Sequence, residues 1–215
     1  MIFGGFQPFS LSDYPGRTSA IVFAQGCNFR CPYCHNGRLI PPCRGGKTET
    51  ISENFVLDFL CARQGRLEGL VVSGGEPTVQ SGLPVFLRRV KALGFRIKLD
   101  TNGSRPNMLR ALFSMKLLDY VAMDVKAPLE RYEALAGTPV LRADIEESIA
   151  LIAQSGIEHE FRTTYVEQLL SAADIKAIRR MLPAASPHRV QGFRPELAQD
   201  PVLRPAVKAA AASSV

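Results

Sequence analysis

The sequence has no apolar run close to the roughly 20 residues that a membrane-spanning helix needs. Its start, residues 1–10, has neither a basic segment nor a long apolar one, so a secretory signal is not expected. No internal repeat, charge block or long linker divides the 215 residues, and 46% of them are hydrophobic, enough for one substantial core. These absences favour a single globular domain in the cytoplasm.

The sequence also lacks any dense basic segment, although its net charge is +6. Lys and Arg are scattered, with only short pairs such as Arg88–Arg89 and Arg179–Arg180, and no basic stretch is interleaved with aromatic residues. Nucleic-acid binding is therefore not predicted. The positive charge is compatible with an acidic electron donor or an acidic protein substrate, but it does not require either.

Short apolar runs that suit buried strands alternate with segments of helical periodicity. The candidate strands are 19–24, 69–73, 95–101, 120–125, 159–165 and, by a weaker pattern, 188–193. Four segments between them place apolar residues on one helical face. The first contains Phe55 and Phe59 after Ser52 as N-cap. The others cover 79–93, 145–152 and 175–182, and each ends at a glycine or a proline.

This alternation of strands and helices predicts an α/β fold with a mostly parallel sheet. Six βα units are fewer than the eight of a closed barrel, so an open partial barrel and a doubly wound sheet both fit. In either fold, ligands bind at the C-terminal ends of the strands. The domain is expected to cover residues 1–204, followed by a tail at 205–215 to which no chemistry is assigned.

Three of the five cysteines lie within eight residues, directly after the first predicted strand. Cys27, Cys31 and Cys34 have the spacing C-x3-C-x2-C. An odd number of cysteines in an apparently cytosolic chain argues against a disulfide framework. Thiolates are the usual ligands of iron–sulfur clusters, and three on one loop could hold three corners of a cubane. The fourth iron would then be free to bind a substrate.

Other uses of these cysteines remain open from the spacing. Cys31 and Cys34 form a C-x-x-C motif that suits a thioredoxin-like redox pair, although that leaves Cys27 unexplained. A tetrahedral zinc site could include His35 or Cys43 as a fourth ligand. His35 adjoins Cys34, and Cys43 follows two prolines, so neither is well placed. Three inert buried cysteines so close together would be unusual. Spacing alone does not exclude zinc.

The cysteine loop resembles that of the radical S-adenosylmethionine (radical SAM) superfamily, and four more motifs that follow, end or lie on predicted strands extend the resemblance. They are Ser-Gly-Gly-Glu-Pro at 73–77, Leu-Asp-Thr-Asn-Gly at 99–103, Ala-Met-Asp-Val-Lys at 122–126 and Phe-Arg-Thr-Thr at 161–164. Together with the segments 4–7 and 10–16, they make the chain similar to glycyl-radical-enzyme activating proteins. Among these it resembles most the anaerobic ribonucleoside-triphosphate reductase activating proteins, over roughly residues 2–195.

The resemblance implies a partial (β/α)6 barrel of parallel strands, with a [4Fe–4S] cluster held by Cys27, Cys31 and Cys34. It implies that S-adenosylmethionine is cleaved reductively and that the resulting radical takes a hydrogen from a glycine of a partner. The expected partner is a glycyl radical enzyme, foremost an anaerobic ribonucleotide reductase, and the expected electron donor is a flavodoxin or ferredoxin. No side chain is expected to act as a general acid or base, because the cofactor carries the chemistry.

The resemblance also implies which residues bind S-adenosylmethionine. The Gly74–Gly75 pair would let the backbone approach the methionyl end, and Glu76 would accept a hydrogen bond from its ammonium group. Asp124 would bind the ribose hydroxyls and Lys126 the carboxylate. The full expected set is Tyr33, His35, Gly74, Gly75, Glu76, Asp100, Asn102, Asp124, Val125 and Lys126.

Each of these residues also has a simpler interpretation. Asp124 and Lys126 could form a buried ion pair, Asn102 could serve a turn, and His35 could be a polar loop residue. Arg162 could contact the ligand or the protein substrate, or pair with a neighbouring glutamate, and it is not assigned. Residues outside the core motifs are Asp13, which could face an incoming glycyl loop, Cys43, a candidate free thiol, and Cys61, expected to pack in the core.

Two other functions remain open for the whole chain. A radical SAM enzyme could act on a small molecule or peptide instead of a partner protein. A zinc-binding interaction module could use the loop of Cys27 to Cys34 to dock a partner, with no catalysis at all. Iron content would separate the module from the enzymes, and a glycyl radical on the partner would separate the two enzymes.

Overall fold

The structure is a computed structural model that describes residues 1–41 and 50–204. Within these ranges, seven strands form one sheet in chain order. They are β1 (Phe3–Ser10), β2 (Ser19–Ala24), β3 (Gly69–Gly74), β4 (Arg96–Thr101), β5 (Tyr120–Asp124), β6 (Glu158–Tyr165) and β7 (His188–Gly192). β1 is antiparallel to β2, and all later neighbours pair in parallel. The predicted tail and Cys43 lie outside the described residues.

Helices connect the parallel strands. In the part of the chain described, they are α1 (Glu53–Cys61), α2 (Leu83–Ala92), α3 (Pro106–Ser114), α4 (Tyr132–Ala136), α5 (Arg142–Gln154) and α6 (Ala172–Met181). Single 3-10 turns lie at Gly37–Leu39, Pro77–Val79, Leu129–Arg131, Pro195–Leu197 and Pro201–Leu203. None of the helices described is both long and apolar enough to cross a membrane.

The predicted α/β fold with an open partial barrel is confirmed. The six predicted strands correspond to β2–β7, whose order follows the chain without reversal, so the doubly wound alternative is wrong. Continuous burial along β2, β3 and β5 agrees with strands that are covered on both faces. The sequence prediction misses β1, α3 and α4. β1 contains two glycines and a proline, which weaken its strand pattern.

The first two helices show where apolar periodicity succeeds and where it misleads. Ser52 caps α1 as predicted, since its hydroxyl accepts a hydrogen bond from the Phe55 N–H at 3.1 Å. The helix predicted over 79–93 begins only at Leu83, because Val79 belongs to a separate 3-10 turn. Cys61 is exposed, so its expected place in the core is wrong. It lies beside Leu60 along the chain but turned away from the buried face of α1.

The inner face of the barrel changes character along the strands. At the N-terminal end it is apolar, with Tyr14, Ile21, Val71, Tyr120 and Ala122 in one buried cluster. Successive residues of a strand alternate between faces, so Asp124 at the end of β5 shares the face of Tyr120 and Ala122. The open end is therefore polar above an apolar floor, and this is where the cavity lies.

Candidate functional site

A cavity of about 380 Å³ opens at the C-terminal ends of the parallel strands. It brings together the three clustered cysteines, Cys27, Cys31 and Cys34, with most of the expected contact residues. The contact residues that line it are Tyr33, His35, Gly74, Gly75, Glu76, Asp100, Asn102, Asp124 and Lys126. Val125 does not line it, because its side chain is fully buried in the core. Asp13 and Arg162 also reach the cavity.

The loop that carries the three thiols follows β2 and is held by the protein's own hydrogen bonds. The Gly26 N–H donates to the Leu39 carbonyl at 2.7 Å, and the Cys27 N–H donates to the Ile40 carbonyl at 3.1 Å. The guanidinium of Arg30 donates to the Cys27 carbonyl at 2.7 Å. The loop is thus fixed at its base and at one of its cysteines.

A C-terminal segment, residues 193–204, packs on the other side of this loop. The Asp200 N–H donates to the Pro32 carbonyl at 2.8 Å. The Arg194 N–H donates to His35 Nε2 at 3.2 Å, and the His35 ring stacks on Phe193 with centroids 5.6 Å apart. His35 is therefore occupied by protein contacts as well as lining the cavity. The sequence gives no local signal for these contacts, because the partners are far apart along the chain.

The three thiols are poorly solvated and have few partners. Cys31 is 7% exposed, and Cys27 and Cys34 are half-buried. Cys27 Sγ accepts a hydrogen bond from the Phe29 N–H at 3.3 Å. Burial raises the pKa of all three thiols, that of Cys27 to about 12, where the nearby charge of Glu76 adds to the effect. A bound cation would reverse this by stabilising the thiolates.

The donor set fits an iron–sulfur cluster better than a single metal ion. In the described ranges, no three His, Cys, Asp or Glu side chains are grouped so that they could hold one ion. Tetrahedral zinc takes all its ligands within about 2.0–2.3 Å of one point. In a cubane each thiolate binds a different iron, so three thiols around one cavity need not converge. The arrangement of Cys27, Cys31 and Cys34 agrees with the second requirement.

The end of β3 packs directly against the start of the cysteine loop. Gly74 has φ +108°, and a Cβ there would come within 2.5 Å of the Ala24 backbone nitrogen. A Cβ at Gly75 would collide with the Gly26 carbonyl oxygen. The two glycines are therefore required by protein packing, besides any approach to a ligand.

Glu76 is 1% exposed and ties the end of β3 to the end of β4. Its Oε1 accepts hydrogen bonds from the Thr78 N–H at 3.0 Å and the Thr101 hydroxyl at 2.8 Å. Its Oε2 accepts from the Asn102 N–H at 2.6 Å. Burial raises the pKa of Glu76, and these bonds oppose the rise. A ligand ammonium that donates to Glu76, as expected, would have to use carboxylate oxygens that already accept hydrogen bonds from the protein.

Asn102 joins the same strand end to the cysteine loop. Its side-chain nitrogen donates to Asn28 Oδ1 at 3.0 Å, and Asn28 in turn donates to the Ser104 hydroxyl at 2.8 Å. Its side-chain oxygen accepts from the Ser104 N–H at 2.9 Å. Asn102 is 6% exposed and lines the cavity, so the turn interpretation and a place in the site both hold.

A row of alternating charges crosses the inner face of β4, β5 and β6, and we call it the charged row. Asp124 accepts from Lys126 Nζ at 3.1 Å and from Arg162 Nε at 2.9 Å. Arg162 Nη1 also lies 3.5 Å from Asp100 Oδ1, which accepts from Lys98 Nζ at 2.5 Å. Three cations face two carboxylates, which leaves one net positive charge. The row therefore suits an anionic group such as a carboxylate.

The charged row shifts the ionisation of its members. Burial opposes the charge of Asp124, but Arg162 and Lys126 outweigh burial and hold the pKa of this carboxyl well below its usual range. Burial also opposes the charge of Lys126, and Asp124 raises the pKa of this amine well above its usual value. The pKa of Arg162 is raised in the same way by Asp124 and Asp100. Asp124, Lys126 and Arg162 are thus ionised at neutral pH.

Arg162 has no role assigned from the sequence, and Lys98 belongs to none of the sequence motifs. Arg162 pairs with Asp124 and Asp100 across the sheet, and not with Glu158 or Glu160. The signal that finds it is register, because β5 and β6 pair in parallel with Asp124 opposite Arg162. Lys98 is 2% exposed and alternates with Asp100 along β4, so both side chains lie on the inner face.

Tyr33 precedes Cys34 and lines the cavity. Its side chain is 4% exposed, and in the structure described its hydroxyl has no hydrogen-bond partner. Burial raises its pKa well above the usual value, so the hydroxyl stays protonated. Buried hydroxyls without partners are rare in proteins.

Comparison with known proteins supports one family. The model of the Radical SAM superfamily matches residues 21–180. A protein of Methanocaldococcus jannaschii with a provisional name as a glycyl-radical enzyme activating enzyme is 35% identical over 202 residues, covering 91% of this chain and 81% of that protein. A 7-carboxy-7-deazaguanine synthase of Methanopyrus kandleri is 32% identical over 132 residues, covering 54% of this chain and 52% of the synthase.

A solved structure shows the same fold. Streptococcus suis SuiB bound to S-adenosylmethionine superposes with a TM-score of 0.61 at 14% identity, over 81% of this chain and 40% of SuiB. At this identity the match concerns the fold alone, and it agrees with the partial barrel described above. The chain therefore belongs to the radical SAM superfamily and is a radical SAM enzyme, in the same family as the Methanocaldococcus jannaschii relative.

Proposed function

We propose that this enzyme generates a glycyl radical on a partner enzyme, and that the partner is an anaerobic ribonucleoside-triphosphate reductase. The observation that carries the proposal is the single cavity in which Cys27, Cys31 and Cys34 face the charged row. The relative named as an activating enzyme, which aligns with 91% of this chain, supports the activating role. The choice of reductase rests on the resemblance of segments 4–7 and 10–16.

The three cysteines would hold a [4Fe–4S] cluster at the cavity. When bound there, the cluster and S-adenosylmethionine would supply a 5′-deoxyadenosyl radical through one-electron cleavage of the sulfonium. The chain would hold the cluster in place, because the loop is fixed by Arg30 on one side and by the C-terminal segment on the other. An electron donor is needed, and we propose a flavodoxin or a ferredoxin.

The remaining cavity residues would hold S-adenosylmethionine in one orientation. The net positive charge near Lys126 and Arg162 suits the methionyl carboxylate, and Asp124 lies where it could accept from ribose hydroxyls. Val125 would contribute without touching the ligand. Its buried side chain and the hydrogen bond from its N–H to the Arg162 carbonyl fix the backbone between Asp124 and Lys126.

Other cavity residues would bind the two ends of the ligand. Tyr33 and His35 would support the adenine, while Asp100 and Asn102 would line the methionyl end beside the backbone of Gly74, Gly75 and Glu76. Glu76 would contribute mainly by holding the ends of β3 and β4 together, since its oxygens already accept protein hydrogen bonds.

Anaerobic reconstitution tests the proposal. The reconstituted protein should be brown, with about four irons per chain. With S-adenosylmethionine, reductant and an anaerobic ribonucleotide reductase, it should give a glycyl radical signal in electron paramagnetic resonance. A colourless protein that binds one zinc per chain would overturn the whole proposal.

A second candidate is a radical SAM enzyme that acts on a small molecule. The observation in its favour is the similarity to a 7-carboxy-7-deazaguanine synthase over 54% of this chain. This candidate predicts cleavage of S-adenosylmethionine without any glycyl radical on the reductase. The same experiment therefore separates the two functions, provided that the iron content is measured on the same sample.

A further inference from the structure

A second concave surface lies on the outer side of the cysteine loop. This groove has a volume of about 590 Å³ and is separate from the cavity at the strand ends. Cys27 lines both, so it forms the wall between the groove and the place proposed for the cluster. Its neighbours Gly26 and Asn28 also line the groove. The cysteine loop at Cys27 thus separates the outer groove from the place proposed for the cluster.

The outer groove is positively charged. Arg30 and Arg105 are exposed and line it, and within residues 1–41 and 50–204 no Asp or Glu is among its lining residues. Neither arginine forms an ion pair with another described residue. Unpaired cations beside a surface without carboxylates attract acidic partners and raise their association rate.

The base of the outer groove is rigid. The Gln80 side chain accepts from the Ile2 N–H at 2.8 Å and donates to the carbonyls of Ile2 and Gln25, each at 2.9 Å. These bonds join the start of β1 to the end of β2, directly before the cysteine loop. A partner that docks here would meet a preformed surface and would lose little entropy in ordering it.

We propose that the outer groove is the docking face of the electron donor, a small acidic redox protein of the flavodoxin or ferredoxin kind. The proposal rests on the proposed function, because it needs a cluster on Cys27. One electron leaves the reduced centre of the donor, which is oxidised, and enters the cluster beside Cys27, which is reduced. Docking from this side leaves the cavity mouth open for the glycine-bearing partner. Small, transient interfaces are usual for electron-transfer partners.

Charge reversal at Arg105 tests the docking face. Among the described residues the Arg105 side chain makes no hydrogen bond to the cysteine loop, whereas Arg30 holds the Cys27 carbonyl and is left unchanged. The probe is an acidic flavodoxin, and its affinity for the reconstituted enzyme is measured by calorimetry at low and high salt. We expect Arg105→Glu to weaken binding about tenfold at low salt and the difference to shrink as salt is added.

Two matched variants accompany the test. Arg105→Lys keeps the charge and should bind within about twofold of the wild type. Arg180→Glu makes the same charge change at an exposed position of α6, outside the groove, and should leave flavodoxin affinity unchanged. Equal weakening by Arg180→Glu, or no weakening by Arg105→Glu, would overturn the proposal.

Reduction kinetics distinguish this proposal from the proposed function. Arg105→Glu should slow cluster reduction by flavodoxin about tenfold but leave reduction by photoreduced deazaflavin unchanged. Equal slowing with both reductants would contradict a docking role. If the reductase competed with flavodoxin for a surface that includes Arg105, the outer groove would bind the glycine-bearing partner. That result would also overturn the proposal. A protein that holds no cluster after reconstitution would instead refute the proposed function.

Discussion

The charged row and the cysteine loop face each other across one cavity, but the protein stabilises them in different ways. In the charged row, each carboxylate has a cationic partner, as Asp124 has Lys126 and Arg162. In the cysteine loop, the thiols are half-buried or buried, and burial raises the pKa of each. The carboxylates of the charged row therefore have their partners without a ligand, while the proposed cluster would stabilise the thiolates of the cysteine loop.

The largest expected effect comes from removing one thiol of the cysteine loop. Cys34→Ala should abolish cluster binding and S-adenosylmethionine cleavage together, because the cluster would lose one of three thiolate ligands. Iron content and 5′-deoxyadenosine formation measure the two losses. Cys61→Ala is the matched control, since Cys61 is exposed on α1 and outside the cavity, and it should retain both. A Cys34→Ala protein with full iron content would contradict the assignment of this ligand.

The next effect breaks the charged row while leaving the cysteines in place. Asp124→Asn leaves Arg162 and Lys126 without their shared counter-ion. We expect S-adenosylmethionine affinity to fall about tenfold to a hundredfold and the free energy of unfolding of the metal-free protein to fall by about 1–2 kcal/mol. The partial exposure of Asp124 keeps the loss below that of a fully buried pair.

Calorimetry and urea unfolding of the Asp124→Asn protein measure these two losses, and Asp58→Asn, at an exposed position of α1, is the control. Iron content should be unchanged in both variants. If Asp124→Asn lost iron as completely as Cys34→Ala, the two regions would not be separable, and the contrast between them would be wrong.

The hydrogen bonds of the Glu76 carboxylate are expected to stabilise the ends of β3 and β4 without a ligand. Glu76→Gln replaces one carboxylate oxygen, which accepts from Thr101 or Asn102, by an amide NH2 group that donates and cannot accept. We expect the free energy of unfolding of the metal-free protein to fall by about 1–3 kcal/mol. Urea unfolding measures it. A loss below about 0.5 kcal/mol would mean that the buried carboxyl is already protonated and donates one of its hydrogen bonds.

Acid should weaken the charged row in a defined direction. The pKa of Asp124 is lowered on folding, so its contribution to stability is fully present above the unfolded-state value of about 3.9 and is lost as pH falls below it. The wild type should therefore lose more unfolding free energy than Asp124→Asn between about pH 5 and about pH 3. Urea unfolding of the two metal-free proteins at each pH gives the difference. Parallel pH profiles would show that Asp124 is not the group concerned.

The smallest effect concerns the outside of the cysteine loop. Phe193→Ala removes the ring that stacks on His35 and should cost about 0.5–1.5 kcal/mol of local stability. Amide hydrogen exchange in residues 31–37 should then speed up by about twofold to tenfold in the metal-free protein. Leu197→Ala, at an exposed position of the same segment, is the control and should leave this exchange unchanged. Equal exchange in all three proteins would show that the stack does not hold the loop.

Much of the fold could be predicted because its signals are local. Strands β2, β3 and β5 are buried for most of their length and stand out as apolar runs, and parallel strands place the motifs after them at one edge. β1 was missed because it is an edge strand whose two glycines and proline break the apolar alternation.

The parts of the site that were missed depend on non-local geometry. The pairing of Arg162 with Asp124 follows from the register of β5 on β6, which the sequence of either strand does not specify. The stacking of Phe193 on His35 joins segments with no common motif. Cys61 was misplaced because a helix position next to a buried leucine can still face solvent.

The contact between the C-terminal segment and the cysteine loop has a consequence for how the protein is made. Arg194 donates to His35 from 159 residues further along the chain, so the ribosome releases the cysteines long before it releases the residues that cover them. Domains fold largely as units during and after synthesis. The cysteine loop of the nascent chain therefore lacks these contacts until residues 193–204 have left the ribosome. Assembly of the proposed cluster on the finished loop would then follow the synthesis of this segment.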